Sequence, residues 1–218
     1  MEKTIKFLKK LKKNNDRDWF NANKMEYEAA REEFTAIIGK LIEGIAAFDP
    51  DVIGIDPKKC VFRIYRDVRF SKDKSPYKTN FGGSVAPGGR KSGIPGYYIH
   101  VEPGTCFLAG GLYMPQAADL LAVRKAIAAD PKALPKIEKN AAFKKHLGKI
   151  ETHGRLKTSP KGFDADHPAI EYLRMKDFTV HQKIKDEAAM RSPKFPGEAV
   201  KVYKAMKPFL DFLREAIK

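Results

Sequence analysis

The chain has 218 residues, of which 43% are hydrophobic and 11% aromatic, and its formal net charge is +15 at pH 7. This composition is typical of a folded globular protein and excludes a largely disordered chain. No run approaches the roughly 20 apolar residues that a membrane-spanning helix needs, so we expect no membrane partner. The excess of positive charge favours anionic partners, either small molecules or nucleic acid.

The first residues and the two cysteines bear on the cellular compartment in which we expect the protein. Residues 1–6 carry basic side chains but no apolar stretch of the kind that a secretion signal contains. Two cysteines, Cys60 and Cys106, are too few for a disulfide framework, and both lie in apolar segments. We therefore expect two buried free thiols in a cytoplasmic protein.

Hydrophobic residues at helical spacing predict helices in both terminal regions of the chain. The longest predicted helix covers residues 24–48 and ends at Asp49 and Pro50. Its first half is rich in glutamate, which suits the positive end of the helix dipole. The other predicted helices cover about residues 3–12, 116–129, parts of 132–147, 168–173 and a C-terminal segment that begins at Pro196.

The hydrophobic period becomes alternating at Cys60, and this change predicts strands in the middle of the chain. Helices at both ends and strands between them indicate one single α+β domain over residues 1–218. We expect a central antiparallel sheet of about five strands, packed against the long N-terminal helix and the C-terminal helix. The predicted strands cover residues 60–70, 81–85, 97–102, 105–114 and 177–185.

The segment 62–79 combines the strand pattern with dense positive charge. Residues 58–91 hold ten Lys or Arg against two Asp. Arginine suits phosphate and carboxylate oxygens because its guanidinium donates two parallel hydrogen bonds. Alternation directs Arg63 and Arg69 to one face and Arg66 to the presumed core, where Arg66 needs an acidic partner.

We predict that this segment forms a cationic pocket on the sheet, which binds a phosphate-bearing small molecule such as a nucleotide. The sequence does not establish a reaction. The predicted ligand-binding residues are Arg63, Arg69, Lys72, Tyr77 and Lys78. Candidate wall residues of the pocket are Tyr65, His100 and Tyr113.

Three side chains are candidates for moving protons if the protein is an enzyme, namely Asp67, His100 and Glu102. His100 and Glu102 are two residues apart in a predicted strand, so they share a face. The same spacing is common on solvated strand faces, and we expect no metal site there. Known phosphate-loop, hydrolase and zinc motifs are missing from the sequence, so we also expect no cofactor.

Two other hypotheses fit the same charge pattern. Basic residues interleaved with four tyrosines on a sheet would suit single-stranded nucleic acid, through stacking on the rings and pairing along the backbone. Alternatively, the charges belong to a structural scaffold in which each arginine pairs with an internal carboxylate. The four tyrosines are Tyr65, Tyr77, Tyr97 and Tyr98.

Three stretches of the sequence resemble a known family. They are NDRDWFNANK at 15–24, FRIYRDVRFSKDKSPYKT at 62–79 and GGLYMP at 110–115. The stretches are similar to those of a family of bacterial and fungal proteins catalogued as domain of unknown function 2461. The resemblance covers nearly the whole chain and implies a single-domain protein of this length. It implies no activity, substrate or catalytic residue.

Overall fold

A computed structural model describes residues 1–184 and 187–218, which form ten α-helices and one sheet of four strands. The fold class is α+β, as the sequence predicts. The helices are α1 (Glu2–Lys13), α2 (Arg17–Ala22), α3 (Lys24–Ala46), α4 (Pro57–Cys60), α5 (Ala117–Ala129), α6 (Ala133–Lys139), α7 (Ala141–His146), α8 (Ile170–Leu173), α9 (Glu187–Arg191) and α10 (Phe195–Ala216). The strands are β1 (Phe81–Val85), β2 (Gly96–Val101), β3 (Cys106–Leu112) and β4 (Phe178–Ile184).

The sheet is an open antiparallel meander with the strand order β1-β2-β3-β4. Its register places Gly82 of β1 beside His100 of β2, and His100 beside Phe107 of β3. The first three strands follow one another along the chain, whereas β4 arrives only after α5 to α8. The strand predicted over 177–185 corresponds to β4, and Lys185 lies outside the described residues.

The strand predicted over residues 60–70 is wrong, and the described part of the chain therefore has four strands rather than about five. Cys60 instead ends α4, where Asp56 caps the first turn by accepting a hydrogen bond from a backbone N–H. Past this helix the chain makes only isolated bridges, Val61 with Gly83 and Tyr65 with Tyr77.

Local ion pairs explain why the alternating pattern of 60–70 does not produce a strand. Asp67 accepts hydrogen bonds from both the backbone and the side chain of Arg69, two residues later. Asp73 pairs with Arg66 and also accepts from the backbone N–H of Ser75. Side chains that bond to nearby backbone groups favour turns over sheet ladders, so the segment becomes an irregular loop.

Helices α3 and α10 cover the inner face of the sheet, and two strand glycines allow the close approach. A Cβ at Gly83 would lie 2.5 Å from Cδ1 of Ile38 in α3, and one at Gly110 would lie 2.8 Å from the sulfur of Met206 in α10. Glycine in a strand often marks a place where another element comes this near. We call the opposite face, which carries Gly82, Tyr98 and His100, the outer face of the sheet.

A buried ion pair joins three parts of the fold. Arg214 in α10 donates from Nη1 to Asp49 at 2.8 Å and from Nε to the carbonyl of Pro95 at 2.9 Å. Tyr97 in β2 donates its hydroxyl proton to the same carboxylate oxygen at 2.8 Å. Because buried charges need such partners, this network ties the turn after α3 to the start of β2 and to the C-terminal helix.

Candidate functional site

The loop 62–79 keeps some of its predicted ligand-binding side chains in internal contacts. Arg69 and Asp67 form a bidentate ion pair with distances of 2.9 and 2.7 Å. The hydrogen bonds from Arg69 lower the pKa of Asp67, which therefore stays ionised. Lys72 is exposed. Arg69 and Asp67 therefore satisfy one another at the protein surface, and the acidic partner expected for Arg66 is Asp73.

Tyr77 is largely buried, although it also lines the cavity beside Lys78 that is described below. Its ring is 4% exposed and stacks on Phe20, with centroids 4.0 Å apart. The side chain of Asn15 accepts from the backbone N–H of Tyr77 at 3.1 Å and donates to its carbonyl at 3.0 Å. The motifs at 15–24 and 62–79 thus meet at one residue, which anchors the loop and sets the direction of the next one, Lys78.

Two cations, Lys78 and Arg90, lie over the ring of Phe62, and the positive charge of Arg63 acts on Lys78. We call Arg63, Lys78 and Arg90 the Phe62 cluster. Nζ of Lys78 lies 6.0 Å from the ring centroid and donates to the carbonyl of Arg63 at 3.2 Å. The guanidinium of Arg90 lies 5.4 Å from the same centroid, and its Nε donates to the carbonyl of Lys59 at 2.8 Å. Backbone oxygens therefore hold two of the cations beside the ring.

The cations of the Phe62 cluster form no salt bridge with the described residues. Among residues 1–184 and 187–218, no carboxylate lies within salt-bridge distance of Arg63, Lys78 or Arg90. Burial lowers the pKa of Lys78, and the positive charges of Arg63 and Arg90 lower it further. Like charges held close together repel one another, so a bound anion would relieve the repulsion. Sequence reasoning included Arg63 and Lys78 but missed Arg90.

A surface cavity of about 340 Å³ opens beside Lys78. Lys12 from α1 and Arg66 from the loop contribute two further positive charges to its wall. Asp73 and Glu102 line it as well, and Asp73 is already paired with Arg66. The cavity therefore has a net positive lining and reaches the end of strand β2.

A line of hydrogen bonds crosses the outer face of the sheet next to this cavity. Glu102 accepts from the hydroxyl of Thr79 at 2.8 Å, and its other oxygen lies 3.3 Å from Nε2 of His100. Nδ1 of His100 lies 3.1 Å from the hydroxyl of Tyr98. The alternation predicted for 97–102 correctly places His100 and Glu102 on one face, and Tyr98 shares that face.

The protonation states on this line follow from burial. Burial lowers the pKa of His100, although Glu102 opposes the change, so the imidazole is neutral near pH 7. Burial also raises the pKa of Tyr98 to about 12, so the phenol keeps its proton. The ring of His100 stacks on Phe107, with centroids 4.6 Å apart and planes 9° from parallel. A protonated phenol thus points at a neutral imidazole whose ring is held in place.

Two other histidines of the region, His181 and His153, also pair with carboxylates. Nδ1 of His181 lies 2.8 Å from Glu151, and Nδ1 of His153 lies 3.1 Å from Asp177. The predicted wall residue Tyr113 packs on His153, with ring centroids 4.9 Å apart. The carboxylates pair with separate histidines, and no group of three or more metal-ligating side chains occurs in the described ranges.

Comparison with known proteins identifies a family but no annotated relative. Neither the curated proteins nor the solved structures yield a match. Within the described residues, no helix is long and apolar enough to cross a membrane. A family model described as "Conserved hypothetical protein (DUF2461)" matches residues 3–212, in agreement with the resemblance of the three sequence stretches. The chain therefore belongs to the DUF2461 family.

Proposed function

We propose that the protein binds a phosphate-bearing small molecule, with the phosphate on the Phe62 cluster and the rest of the ligand in the adjoining cavity. The observation that carries the proposal is that Lys78 and Arg90 lie over one ring, with the charge of Arg63 acting on Lys78, while no carboxylate in the described parts of the chain forms a salt bridge with any of the three. Guanidinium and ammonium groups together supply the donors that phosphate oxygens accept.

The cavity supports a small ligand. Its volume of about 340 Å³ lies at the lower end of the range for small-molecule sites. A nucleotide is one ligand class whose phosphate would reach Lys78 while a ring system occupies the cavity. Lys12 and Arg66 would add favourable charge from the opposite wall.

The exposure of the four tyrosines favours a small molecule over a nucleic-acid strand. Stacking along a strand needs several accessible rings. Tyr77 and Tyr97 are 4% and 1% exposed, and Tyr98 is partly buried, which leaves Tyr65 as the exposed ring of the four. The phosphates of a nucleic-acid strand could still pair with the basic surface. The binding experiment below distinguishes this outcome from the binding of a small molecule.

The scaffold hypothesis accounts for part of the segment. Arg66 and Arg69 each have a carboxylate partner from the same loop, as that hypothesis requires. The scaffold hypothesis does not account for Arg63 and Lys78, which form no salt bridge with the described residues. The loop is therefore best explained as a support that two internal ion pairs hold in place and that presents Arg63 and Lys78.

The cytoplasmic placement remains part of the proposal. Cys60 and Cys106 are both free and buried, as expected of thiols in a reducing compartment. Phosphate metabolites are abundant in such a compartment, so the location and the ligand class are consistent with one another.

A thermal-shift screen tests the proposal with inorganic phosphate, nucleotides, sugar phosphates and short oligonucleotides as probes. We expect stabilisation by one phosphate-bearing class of small molecule, because a ligand that binds only the folded state raises its stability. The variant Lys78→Met should abolish this stabilisation, whereas Arg69→Gln should retain it. The control removes the same charge from the same loop, at a residue that Asp67 already neutralises.

Two results would contradict the proposal. Equal losses in Lys78→Met and Arg69→Gln would indicate binding through general surface charge. Stabilisation by oligonucleotides alone, falling steeply with salt, would favour the nucleic-acid hypothesis instead.

A further inference from the structure

A line of hydrogen-bonded side chains lies on the outer face of the sheet, beside the proposed ligand site. The line runs from Thr79 through Glu102 and His100 to Tyr98, with contacts of 2.8, 3.3 and 3.1 Å. The amide nitrogen of Asn80 lies 3.5 Å from the same imidazole nitrogen as the phenol. Both imidazole nitrogens are thus engaged, one by a carboxylate and one by a hydroxyl.

The geometry assigns one tautomer to His100. Glu102 is an acceptor when ionised, so Nε2 of the imidazole donates to it and Nδ1 is left as the acceptor. The phenol of Tyr98 then donates its proton to Nδ1. The order of carboxylate, imidazole and hydroxyl is the one in which a carboxylate orients a histidine that removes a proton from a hydroxyl group.

Gly82 of β1 leaves the space that the phenol of Tyr98 occupies beside His100. A Cβ at Gly82 of β1 would lie 2.5 Å from the hydroxyl oxygen of Tyr98 and 3.2 Å from two of its ring carbons. Any side chain at residue 82 would therefore push the phenol away from His100. Phe107 stacks on the other side of the imidazole and fixes its plane.

The line is adjacent to the Phe62 cluster. The rings of Phe62 and Tyr98 are in edge-to-face contact, with centroids 6.2 Å apart. Glu102 and Lys78 line the same cavity. Lys78 and Arg90 lie over the ring of Phe62, which contacts Tyr98, so a phosphate held by these two cations would lie one ring away from Tyr98.

We propose that Tyr98, His100 and Glu102 form a general-base relay that activates a water or hydroxyl group for attack on the phosphate ester bound at the Phe62 cluster. This inference rests on the proposed function, because the cluster supplies the substrate. It makes the protein a phosphate-ester hydrolase or transferase. Tyr98 contacts the reacting oxygen and His100 receives the proton, whereas Glu102 and Thr79 are positioning residues.

The proton transfers balance within the relay. The O–H bond of the attacking group breaks as its proton moves to the phenol oxygen of Tyr98. The original phenol proton moves to Nδ1 of His100, and the resulting imidazolium lies against the carboxylate of Glu102. The activated oxygen forms a bond to phosphorus, and the bond from phosphorus to the leaving oxygen breaks. Lys78 and Arg90 stabilise the negative charge that develops on the phosphate oxygens.

Hydrolysis of p-nitrophenyl phosphate, followed by the absorbance of the released p-nitrophenolate, tests the relay. We expect the wild-type protein to hydrolyse this probe and Tyr98→Phe and His100→Gln to lose about 100-fold or more in kcat, since general-base catalysis contributes on the order of 10²- to 10⁴-fold. Tyr172→Phe is the matched control, because Tyr172 donates its hydroxyl proton to Glu138 and takes no part in the line from Thr79 to Tyr98.

The variant Glu102→Gln tests the positioning role through the pH profile. The other charged and titratable groups around the imidazole are Tyr98 on the same strand and His181, which lies beyond Phe107 on β4. Loss of the carboxylate destabilises the imidazolium. The midpoint of the rate against pH should therefore move to lower pH in Glu102→Gln, together with a lower kcat. A purely structural Glu102 would leave the midpoint unchanged.

A second measurement examines the relay without any substrate. The side-chain ¹⁵N spectrum of His100 should show a proton on Nε2 and none on Nδ1 near pH 7. The Nδ1 signal should shift in Tyr98→Phe and stay unchanged in Tyr172→Phe. A proton on Nδ1 in the wild-type protein would overturn the proposed direction of proton transfer.

Phosphate binding, measured by calorimetry on the same samples, separates the two proposals. Phosphate binding without hydrolysis of the probe, or hydrolysis that Tyr98→Phe and His100→Gln leave intact, overturns the relay and leaves the binding function in place. Hydrolysis that depends on Tyr98 but not on Lys78 supports the relay and contradicts the proposed role of the Phe62 cluster. The absence of both binding and hydrolysis refutes both proposals.

Discussion

The substitution Asp49→Asn should destabilise the protein strongly, because it leaves the guanidinium of Arg214 buried without its main counter-charge. The side chains of Asp49 and Arg214 are 0% and 8% exposed, and two hydrogen bonds of 3.1 and 2.8 Å join them. Removing one partner of a buried ion pair costs about 3 to 5 kcal/mol. Asp51 lies 3.7 Å from the same nitrogen and compensates in part, so we expect about 3 kcal/mol.

The hydroxyl of Tyr97 provides an independent check on this magnitude. Tyr97→Phe removes one hydrogen bond to the carboxylate but leaves both bonds from Arg214. Hydrogen bonds to charged groups contribute about 1.5 to 3 kcal/mol, so the loss should be the smaller of the two. Because Tyr97 and Arg214 share one carboxylate oxygen of Asp49, the double variant with Asp49→Asn should be non-additive.

Urea unfolding followed by the fluorescence of Trp19, the single tryptophan, measures these free energies. Trp19 packs against Phe7, with ring centroids 6.0 Å apart, so unfolding changes its environment. The exposed pair of Lys201 and Glu198 is the control, and Glu198→Gln should leave the free energy of unfolding nearly unchanged. A cost below about 1 kcal/mol for Asp49→Asn would refute the reasoning, since a desolvated pair cannot be broken so cheaply.

Three further predictions concern the outer face of the sheet and the thiols. Gly82→Ala should displace the phenol of Tyr98 and raise the pKa of His100 in an NMR titration, because the neutral imidazole loses its donor; an unchanged pKa would show that the phenol adapts. Burial lowers the pKa of His100 in the folded state, so the neutral imidazole contributes to the free energy of unfolding. This contribution should be complete above about pH 6.5 and should be lost as the pH falls through the pKa of the folded state. His100→Gln should flatten this dependence of stability on pH. Burial raises the pKa of Cys60 to about 11, so native protein should react slowly with iodoacetamide near pH 8 and rapidly once urea unfolds it; fast native labelling would contradict the buried thiol.

The fold class was predictable because its signals are local. Helical spacing in the long N-terminal helix and alternation around His100 reflect which face of each element is buried. The strand predicted over residues 60–70 is wrong because the hydrophobic alternation of this segment is as regular as that of a strand. Its ion pairs, Arg69 with Asp67 and Arg66 with Asp73, are contacts between near neighbours that a hydrophobic pattern does not register.

The candidate site was predictable only in part. The density of arginine and lysine identified the region of Arg63 and Lys78, and strand spacing placed His100 with Glu102. Arg90 was missed because it comes to Phe62 through a long glycine-rich loop that attaches to the carbonyl of Lys59, a contact that leaves no trace in the local sequence. Tyr77 lines the cavity, whereas its near-complete burial could not be predicted because it depends on stacking against Phe20 of a distant helix.

The account depends most on the Phe62 cluster as an anion receptor, and calorimetric titration with inorganic phosphate tests it directly. Charge-assisted hydrogen bonds contribute about 1.5 to 3 kcal/mol, so Arg90→Gln should weaken binding by about tenfold or more, while Arg69→Gln leaves the Kd within about twofold. The Phe62 cluster is not an anion site if the wild-type protein does not bind phosphate. The same conclusion follows if both variants bind phosphate as tightly as the wild-type protein.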